Sequence, residues 1–453
     1  MPTLNWIGKA AVVEHHKEVP FRLLKCRDDF SVGDPQAGNL LVQGDNLEAL
    51  KALLPYYAGQ VKCIYIDPPY NTGNEGWVYN DAVNSPEMRD WLGTVVGGEA
   101  EDLSRHDKWL CMMYPRLRLL KQFLQEEGVI LVSIDDFEAY HLRCLMDEIF
   151  GRQNFIAQLV WEKGRKNDAK FFSVGHEYMI VYANSVDLLR RLKTVWREPK
   201  PGAQEIWNEY TRLREQFGDD DQATEKALRD WYKALPEKHP SKALSRYKHI
   251  DKYGPWRDRD ISWPGGGGPR YDVHHPVTGE PCKVPEAGWR FATPEAMQRQ
   301  IELGLIEFRE DHTSPPFRKA HIHPIPEELD ENANDGDDSE ETSDNVGLQV
   351  MPSVIYKQSQ VAVKYLRKLM GKKVFENPKD YEVIARLVRY ITKPGDIILD
   401  SFAGSGTTGH AVLQQNFEDS GSRRFILIQM DANIASTITA ERLKRVVEGV
   451  ADI

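Results

Sequence analysis

Asp396-Ile397-Ile398-Leu399-Asp400-Ser401-Phe402-Ala403-Gly404-Ser405-Gly406-Thr407-Thr408-Gly409 decides the fold. The apolar run 397–399 reads as a strand, and residues 403–416 read as a glycine turn that opens a helix. Gly404, Gly406 and Gly409 have the G-x-G-x-x-G spacing of a nucleotide-binding turn. Glycines let a ligand approach the backbone, and a helix N-terminus offers free N–H groups. No Gly-Lys-Ser/Thr follows, which excludes a P-loop ATPase. A dinucleotide-binding dehydrogenase would need several more βα units after such a turn. Only one strand (425–429) and one helix (434–447) remain before Ile453. The sheet that owns this turn must therefore be completed by strands from the N-terminal third.

That third supplies them. Residues 40–43, 61–66, 129–134 and 178–182 are strand-like, and helical patterns at 46–54, 109–126 and 139–150 lie between them. Such alternation predicts an α/β fold with a parallel sheet. The run Val61-Lys62-Cys63-Ile64-Tyr65-Ile66 ends in Asp67-Pro68-Pro69-Tyr70. Two prolines stop the ladder and stiffen the backbone. A carboxylate, a proline carbonyl and an aromatic ring are thereby held at a strand's C-terminal edge, where open α/β sheets bind ligands. The trio suits a planar ring bearing an amino group: the acceptors take the amino hydrogens and the aromatic face stacks. Two sites at the strand ends of one sheet predict a nucleotide-like cofactor beside a planar amino-bearing substrate.

The middle of the chain changes character. It carries Gly/Pro clusters such as Trp263-Pro264-Gly265-Gly266-Gly267-Gly268-Pro269 and a charged helical stretch over 203–235, and it reads as an inserted domain. The expected division is 1–160, 161–350 and 351–453. The 453 residues carry a net charge of −11, but residues 327–344 hold ten acidic and no basic side chains, so the rest is near −1. That acidic stretch reads as a flexible surface loop. Any DNA-binding surface must then be a local patch. Lys163, Arg165, Lys166 and Lys170, beside Phe171 and Phe172, form a basic run suited either to solvent or to salt-sensitive phosphate contact.

The five cysteines form no C-x-x-C pair, which argues against disulfides and structural zinc and fits a reducing cytoplasm. No apolar run is long enough to span a membrane, and the N-terminus lacks a signal-peptide pattern. Pro281-Cys282 precedes the glycine motif and reads as structural. His274, His275, His321 and His323 lack partners at metal-ligand spacing, so no metal is expected.

In this order, the motifs resemble the amino-group DNA methyltransferases of the β class, most closely the Mod subunits of type III restriction-modification systems. The resemblance rests on Gly44-Asp45-Asn46-Leu47-Glu48-Ala49-Leu50, Asp67-Pro68-Pro69-Tyr70-Asn71-Thr72-Gly73-Asn74, Val132-Ser133-Ile134-Asp135-Asp136, His176-Glu177-Tyr178 and Asp400-Ser401-Phe402-Ala403-Gly404-Ser405-Gly406-Thr407-Thr408. It spans about residues 38 to 447. It implies a permuted Rossmann-like methyltransferase sheet, with the Asp-Pro-Pro-Tyr half before the half that binds S-adenosylmethionine and a target-recognition insert between them. It further implies methyl transfer to adenine N6 in a specific duplex sequence, after flipping the base from the stack. Asp67, Pro68, Pro69 and Tyr70 would be catalytic. Asp45 and Asn46 would lie near the cofactor's adenine, Phe402, Gly404 and Gly406 along its methionine part, and Asp400 would be a further cofactor-binding residue. Thr407, Thr408 and Lys379 would meet its carboxylate or amino group, and Gln429 or Asp431 its ribose. A homodimer and a restriction or other defence subunit are the implied partners. One departure is that Mod subunits usually continue past the last helix, whereas this sequence ends at Ile453.

Each residue also has a plainer reading: Asp45 as a helix N-cap, Lys379 as a solvated lysine, Gln429 as a strand-end polar group. Three alternatives to the adenine enzyme remain. They are an N4-cytosine methyltransferase, a nicotinamide-dependent oxidoreductase built on the glycine turn, and a DNA-binding module without catalysis.

Overall fold

The structure, a computed structural model, describes residues 3–72, 90, 93–96, 104–164, 171–323, 325 and 347–449. The chain forms two compact units, Met1–Trp196 with Pro352–Ile453, and Arg197–Met351.

The first unit is built on an eight-stranded mixed sheet. Its strands in chain order are β1 (Leu40–Gln43), β2 (Val61–Ile66), β3 (Leu124–Ile134), β4 (Phe155–Glu162), β5 (His176–Ala183), β6 (Val354–Tyr356), β7 (Ile397–Asp400) and β8 (Arg424–Gln429). Across the sheet the order is β1-β8-β7-β2-β3-β5-β4-β6. β7, from the C-terminal segment, lies parallel between β8 and β2 and pairs Leu399 with Ile64 and with Ile426. The glycine turn and the Asp-Pro-Pro-Tyr segment therefore follow adjacent parallel strands at one edge. β5 alone runs opposite to its neighbours β3 and β4. β2 and β7 are almost wholly buried, as expected of parallel strands covered on both faces.

The flanking helices are α1 (Asn46–Tyr57), α2 (Arg105–Phe123), α3 (Ala139–Met146), α4 (Ser359–Met370), α5 (Tyr381–Ile391), α6 (Thr407–Asp419) and α7 (Ala440–Val447). Local chemistry starts them. Asp45 Oδ1 caps α1 by accepting from Leu47 N and Glu48 N at 2.9 and 3.0 Å. Ser104 and Asp107 form a capping box on α2. Asp380 Oδ1 caps α5 through Glu382 N and Val383 N. The helix expected over 109–126 instead ends at Phe123, because Leu124 already pairs with Val61 and opens β3.

The expected domain boundary at residue 161 is corrected to Trp196/Arg197. A cut at 161 would sever β4, and it would remove β5, which is hydrogen-bonded on both sides by β3 and β4.

The second unit holds the helices Ala203–Phe217 and Asp221–Ala234 and an antiparallel sheet ordered His249–Asp251, Gly254–Arg259, Phe317–His321, Ile306–Glu307. Cys282 is buried with Trp289 and Phe291, and burial raises its thiol pKa, as suits a structural cysteine. His275 bonds Arg309 O, His321 bonds Asp251, and His323 stacks on Trp207. The acidic stretch 327–344 lies outside the described residues.

Leu399 is fully buried in the main core beside Ile64 and Ile426. Leu399→Ala is expected to cost about 2–5 kcal/mol in urea unfolding. A loss below about 1 kcal/mol would contradict a central place for β7.

Candidate active site

Two strand ends build the site. After β2 the chain turns through Asp67, Pro68, Pro69 and Tyr70, and the turn is held from behind. Pro69 O accepts from Trp109 Nε1 at 2.7 Å. Asn71 adopts a left-handed conformation (φ 57°), which asparagine tolerates better than most residues. Its amide donates to Arg105 O at 3.1 Å and to the buried carboxylate of Glu138. That carboxylate also meets His106 Nδ1 at 2.7 Å and His141 Nδ1 at 2.9 Å. Among the described residues this is the one group of metal-ligand types close enough together to hold an ion. The polar neighbours of Glu138 here are Asn71, His106 and His141.

After β7, Asp400 closes the second turn on itself. Phe402 N donates to Asp400 Oδ1 at 2.9 Å, and Thr408 Oγ1 donates to Asp400 Oδ2 at 2.5 Å. Burial pushes the Asp400 pKa up to about 7, against the opposing pull of those two donors. Gly404 and Gly406 have φ of 51° and 80°, a region that favours glycine. Gln429 Oε1 accepts from Gly404 N at 2.9 Å, and Thr439 Oγ1 donates to Gly404 O at 2.7 Å. Beneath the turn, buried Arg442 donates to Ser405 Oγ at 3.0 Å and Thr407 Oγ1 at 2.9 Å.

Lys379, just before α5, joins the two turns. Its Nζ is 2.9 Å from Asp67 Oδ1, 2.6 Å from the Tyr70 hydroxyl and 3.1 Å from each oxygen of Glu177. Tyr70 donates its hydroxyl to Glu177 Oε2 at 3.0 Å. Lys163 pairs with the same Glu177 oxygen. Burial alone would lower the Lys379 pKa, but the carboxylates of Asp67 and Glu177 outweigh it and hold that pKa above the ordinary lysine value. Burial would likewise raise Glu177, and Lys379 and Lys163 outweigh it and keep it below the usual carboxylate range. The result is two carboxylates and two ammoniums in mutual contact, the arrangement that makes buried charge tolerable.

Asp67, Tyr65, Lys379, Asp400, Phe402 and Thr407 border one pocket, together with Phe375 and the 403–405 turn. It opens to solvent. A Cβ on Gly404 would sit 3.4 Å from the Phe375 ring, so a side chain there would fill part of this space. A glycine cradle, an aromatic wall and acceptors at the strand ends fit an extended nucleoside-like group with an amino-bearing partner.

The residues expected from sequence fall as follows. Asp67, Lys379, Asp400, Phe402, Gly404, Thr407 and Thr408 border the pocket. Tyr70 joins them through Lys379, and Gly406 caps α6. Asn46 lies at the same edge, with Nδ2 3.4 Å from Ser401 O. Asp45 serves as the N-cap and also meets Arg116 at 3.3 Å. Gln429 is taken up by Gly404 N, and Asp431 caps the turn at Ile434. Lys379 is not a solvated lysine, because three acceptors surround its ammonium. Lys163 pairs its amino group with buried Glu177, a partner its place in a basic run did not suggest. Arg165, Lys166 and Lys170 lie outside the described residues. Glu177, Glu138, Arg116 and Arg442 were not foreseen as site residues. Their signal in the sequence is a charge within or beside an apolar, strongly periodic element, joined for Glu177 by the run His176-Glu177-Tyr178.

Asp400 gives a pH test. Its folded pKa, about 7, lies above the unfolded carboxylate value of about 3.9. The native state therefore binds its proton more tightly, and this contribution to stability is full below about pH 4 and lost as pH rises to about 7. The stability of wild type minus that of Asp400→Asn should fall by roughly 1 kcal/mol per pH unit between pH 4 and 7 and stay flat above. A difference that is flat throughout, by urea unfolding, would contradict the buried protonated carboxyl.

Comparison with known proteins agrees with this geometry. The model of the N6/N4 DNA methylase family matches residues 61–440. The EcoP15I Mod subunit of a type III restriction-modification enzyme from Escherichia coli is 33% identical over 95% of this chain. The EcoPI Mod subunit from Escherichia phage P1 is 30% identical over 97% of it. The chain spans 64% and 65% of the length of those two relatives. Among solved structures, the PvuII cytosine-N4 DNA methyltransferase aligns over 92% of this chain and 93% of its own, at 12% identity and a TM-score of 0.38, too low a likeness to bear on the fold. The family match displaces the nicotinamide oxidoreductase reading of the glycine turn. The chain belongs to the N6/N4 DNA methylase family.

Proposed function

We propose that this chain transfers a methyl group from S-adenosylmethionine to the N6 amino group of adenine in a specific duplex DNA sequence. The observation that carries the proposal is the juxtaposition of Asp67 and the 402–408 turn around one pocket at the ends of adjacent parallel strands. Relatives named as type III Mod subunits over nearly the whole chain support it. So does Asp67 before Pro68-Pro69, since in the family it resembles aspartate rather than serine there is typical of the adenine enzymes.

The exocyclic nitrogen of adenine is a poor nucleophile because its lone pair is delocalised into the ring. Asp67 and the Pro68 carbonyl would accept its two hydrogens, free the lone pair and stabilise the positive charge that develops on nitrogen. A carboxylate has about four acceptor sites, so the Lys379 contact leaves Asp67 capacity for the amino group. Tyr70 would stack on the base, which must leave the duplex at a cost of roughly a few kcal/mol. The cofactor, when bound, supplies an electrophilic methyl on a sulfonium. Gly404, Gly406 and Phe402 would bed its methionine part, and Asn46 would meet its adenine end. No covalent enzyme nucleophile is needed, and much of the rate would come from positioning.

In this proposal residues 1–196 carry the catalytic half, Arg197–Met351 reads the target and 352–453 hold the cofactor. Arg165, Lys166 and Lys170 would contact phosphates. The setting is a restriction-modification or defence system in the cytoplasm, which suits five free cysteines. No helix among the described residues is long and apolar enough to cross a membrane.

Mass spectrometry of DNA incubated with protein and S-adenosylmethionine should detect N6-methyladenine, and Asp67→Ala should abolish it while DNA binding persists. N4-methylcytosine instead would sink the adenine assignment, and unchanged turnover in the variant would remove Asp67 from the mechanism. A homodimer is proposed, in which the second unit of one subunit reads DNA while the partner flips the base. Sedimentation at assay concentration should show a dimer, and a fully active monomer at high dilution would refute that division of labour.

A further inference from the structure

We infer that Lys379 and Glu177 act as a positioning pair that presents Asp67 and Tyr70 to the target base, rather than Lys379 binding the carboxylate of the methyl donor. The inference rests on the methyl transfer proposed above.

The first argument is valence. A lysine ammonium has three hydrogens to donate. Its Nζ donates to the Tyr70 hydroxyl at 2.6 Å and to Glu177 Oε2 at 3.1 Å, and Asp67 Oδ1 stands 2.9 Å away as an ion-pair partner. A further acceptor, such as a cofactor carboxylate, would have to compete with these three for the ammonium. Displacing Asp67 or Tyr70 would undo the catalytic side chains themselves.

The second argument is charge. Without Lys379, Asp67 and Glu177 would be two carboxylates at one partly buried site, opposed by Lys163 alone, and like charges this close repel. Without Glu177, the full attraction of Lys379 would fall on Asp67 and draw its oxygens away from the amino group. Glu177 therefore shares the ammonium and moderates its hold on Asp67.

The third argument is geometry. Tyr70 donates to Glu177 and receives from Lys379, so the far end of its ring is fixed. The prolines before it fix the near end. Glu177 reaches this edge because β5 is reversed: its first residues lie where β2 and β3 end, and Tyr178 pairs with Ile134. Lys379 reaches it because Asp380 starts α5 at that position. A reversed strand and a capped helix thus deliver opposite charges to one point.

The test uses the full chain, S-adenosylmethionine, and DNA carrying the target sequence found by sequencing methylated DNA. Binding of S-adenosylmethionine is measured by calorimetry and the methylation rate by single turnover at saturating cofactor. Lys379→Met should lower the rate about a hundredfold and leave the cofactor Kd within about threefold. Glu177→Gln should lower the rate about tenfold with Kd likewise kept, and the double variant should lose less than the product of the two, as coupled residues do. A Kd raised about tenfold or more in Lys379→Met, with the rate at saturation kept, would assign Lys379 to the cofactor and overturn the inference. Unchanged rate and Kd would overturn it as well. If Lys379→Met does not fold, Tyr70→Phe keeps the ring and removes only the bridging hydroxyl. A slower rate at unchanged Kd supports the pair, and an unchanged rate overturns it. A wild-type protein that transfers no methyl to DNA brings down the proposed function, and this inference with it. A working wild type with a cofactor-binding Lys379 brings down the inference alone.

Discussion

The pairing of Ile397–Leu399 with Val61–Ile64 joins two parts of the chain more than three hundred residues apart, and the site exists only because of it. A parallel pair cannot be closed by a hairpin, so the connection between two such strands can be long. Here it includes the whole second unit, a contiguous stretch between the two segments of the first. Both strands end at the same edge. One delivers a carboxylate and a tyrosine on a proline-stiffened turn, and the other delivers a glycine turn onto the start of a helix. Neither turn borders the pocket without the other.

Burial then dictates the electrostatics. The pocket edge takes four charged side chains out of bulk water, and each carboxylate lies against an ammonium. Desolvation acts on Lys379 and Glu177 in opposite directions, and in both the opposing charge prevails. Among the described residues Asp400 has no such cation. Two hydrogen-bond donors hold it, and burial prevails instead. The same edge thus holds carboxylates in two regimes, one kept ionised by neighbours and one drawn toward its neutral form. Hydrogen bonds further back finish the frame: Trp109 on Pro69 O, Glu138 on Asn71, and Arg442 beneath Ser405 and Thr407. They pre-set the turns before any ligand arrives, which is where catalysis by positioning gains its advantage.

Much of this was legible in the sequence because it rests on local rules. Apolar runs bounded by turn residues located β1, β2, β7 and β8, and β7 takes its neighbour β2 from the N-terminal third. Proline and glycine marked both turns at that edge. What escaped notice is non-local. Glu177 sits in a strand whose apolar pattern hides its role, and nothing in the sequence says that β5 is reversed. Lys379 looked like a surface lysine or a cofactor ligand because its three acceptors lie at residues 67, 70 and 177. Lys163 looked like part of a basic loop because its partner is fourteen residues away, across the β4–β5 connection. The helix expected to run to 126 was misplaced because glutamates favour helix locally, while the pairing of Leu124 with Val61 is a tertiary fact.

The central claim is that one sheet edge brings an amino group and a methyl donor together between Asp67 and the glycine turn. A crystal structure of the protein with an unreactive analogue of S-adenosylmethionine and its duplex target tests it most directly. The account predicts an extruded adenine stacked on Tyr70, its N6 within about 3 Å of an Asp67 oxygen and of Pro68 O. The analogue's methionine part should lie along residues 402–406, with its methyl-equivalent atom about 3–3.5 Å from N6. A base that remains in the stack, or an analogue bound away from the 402–406 turn, would contradict it.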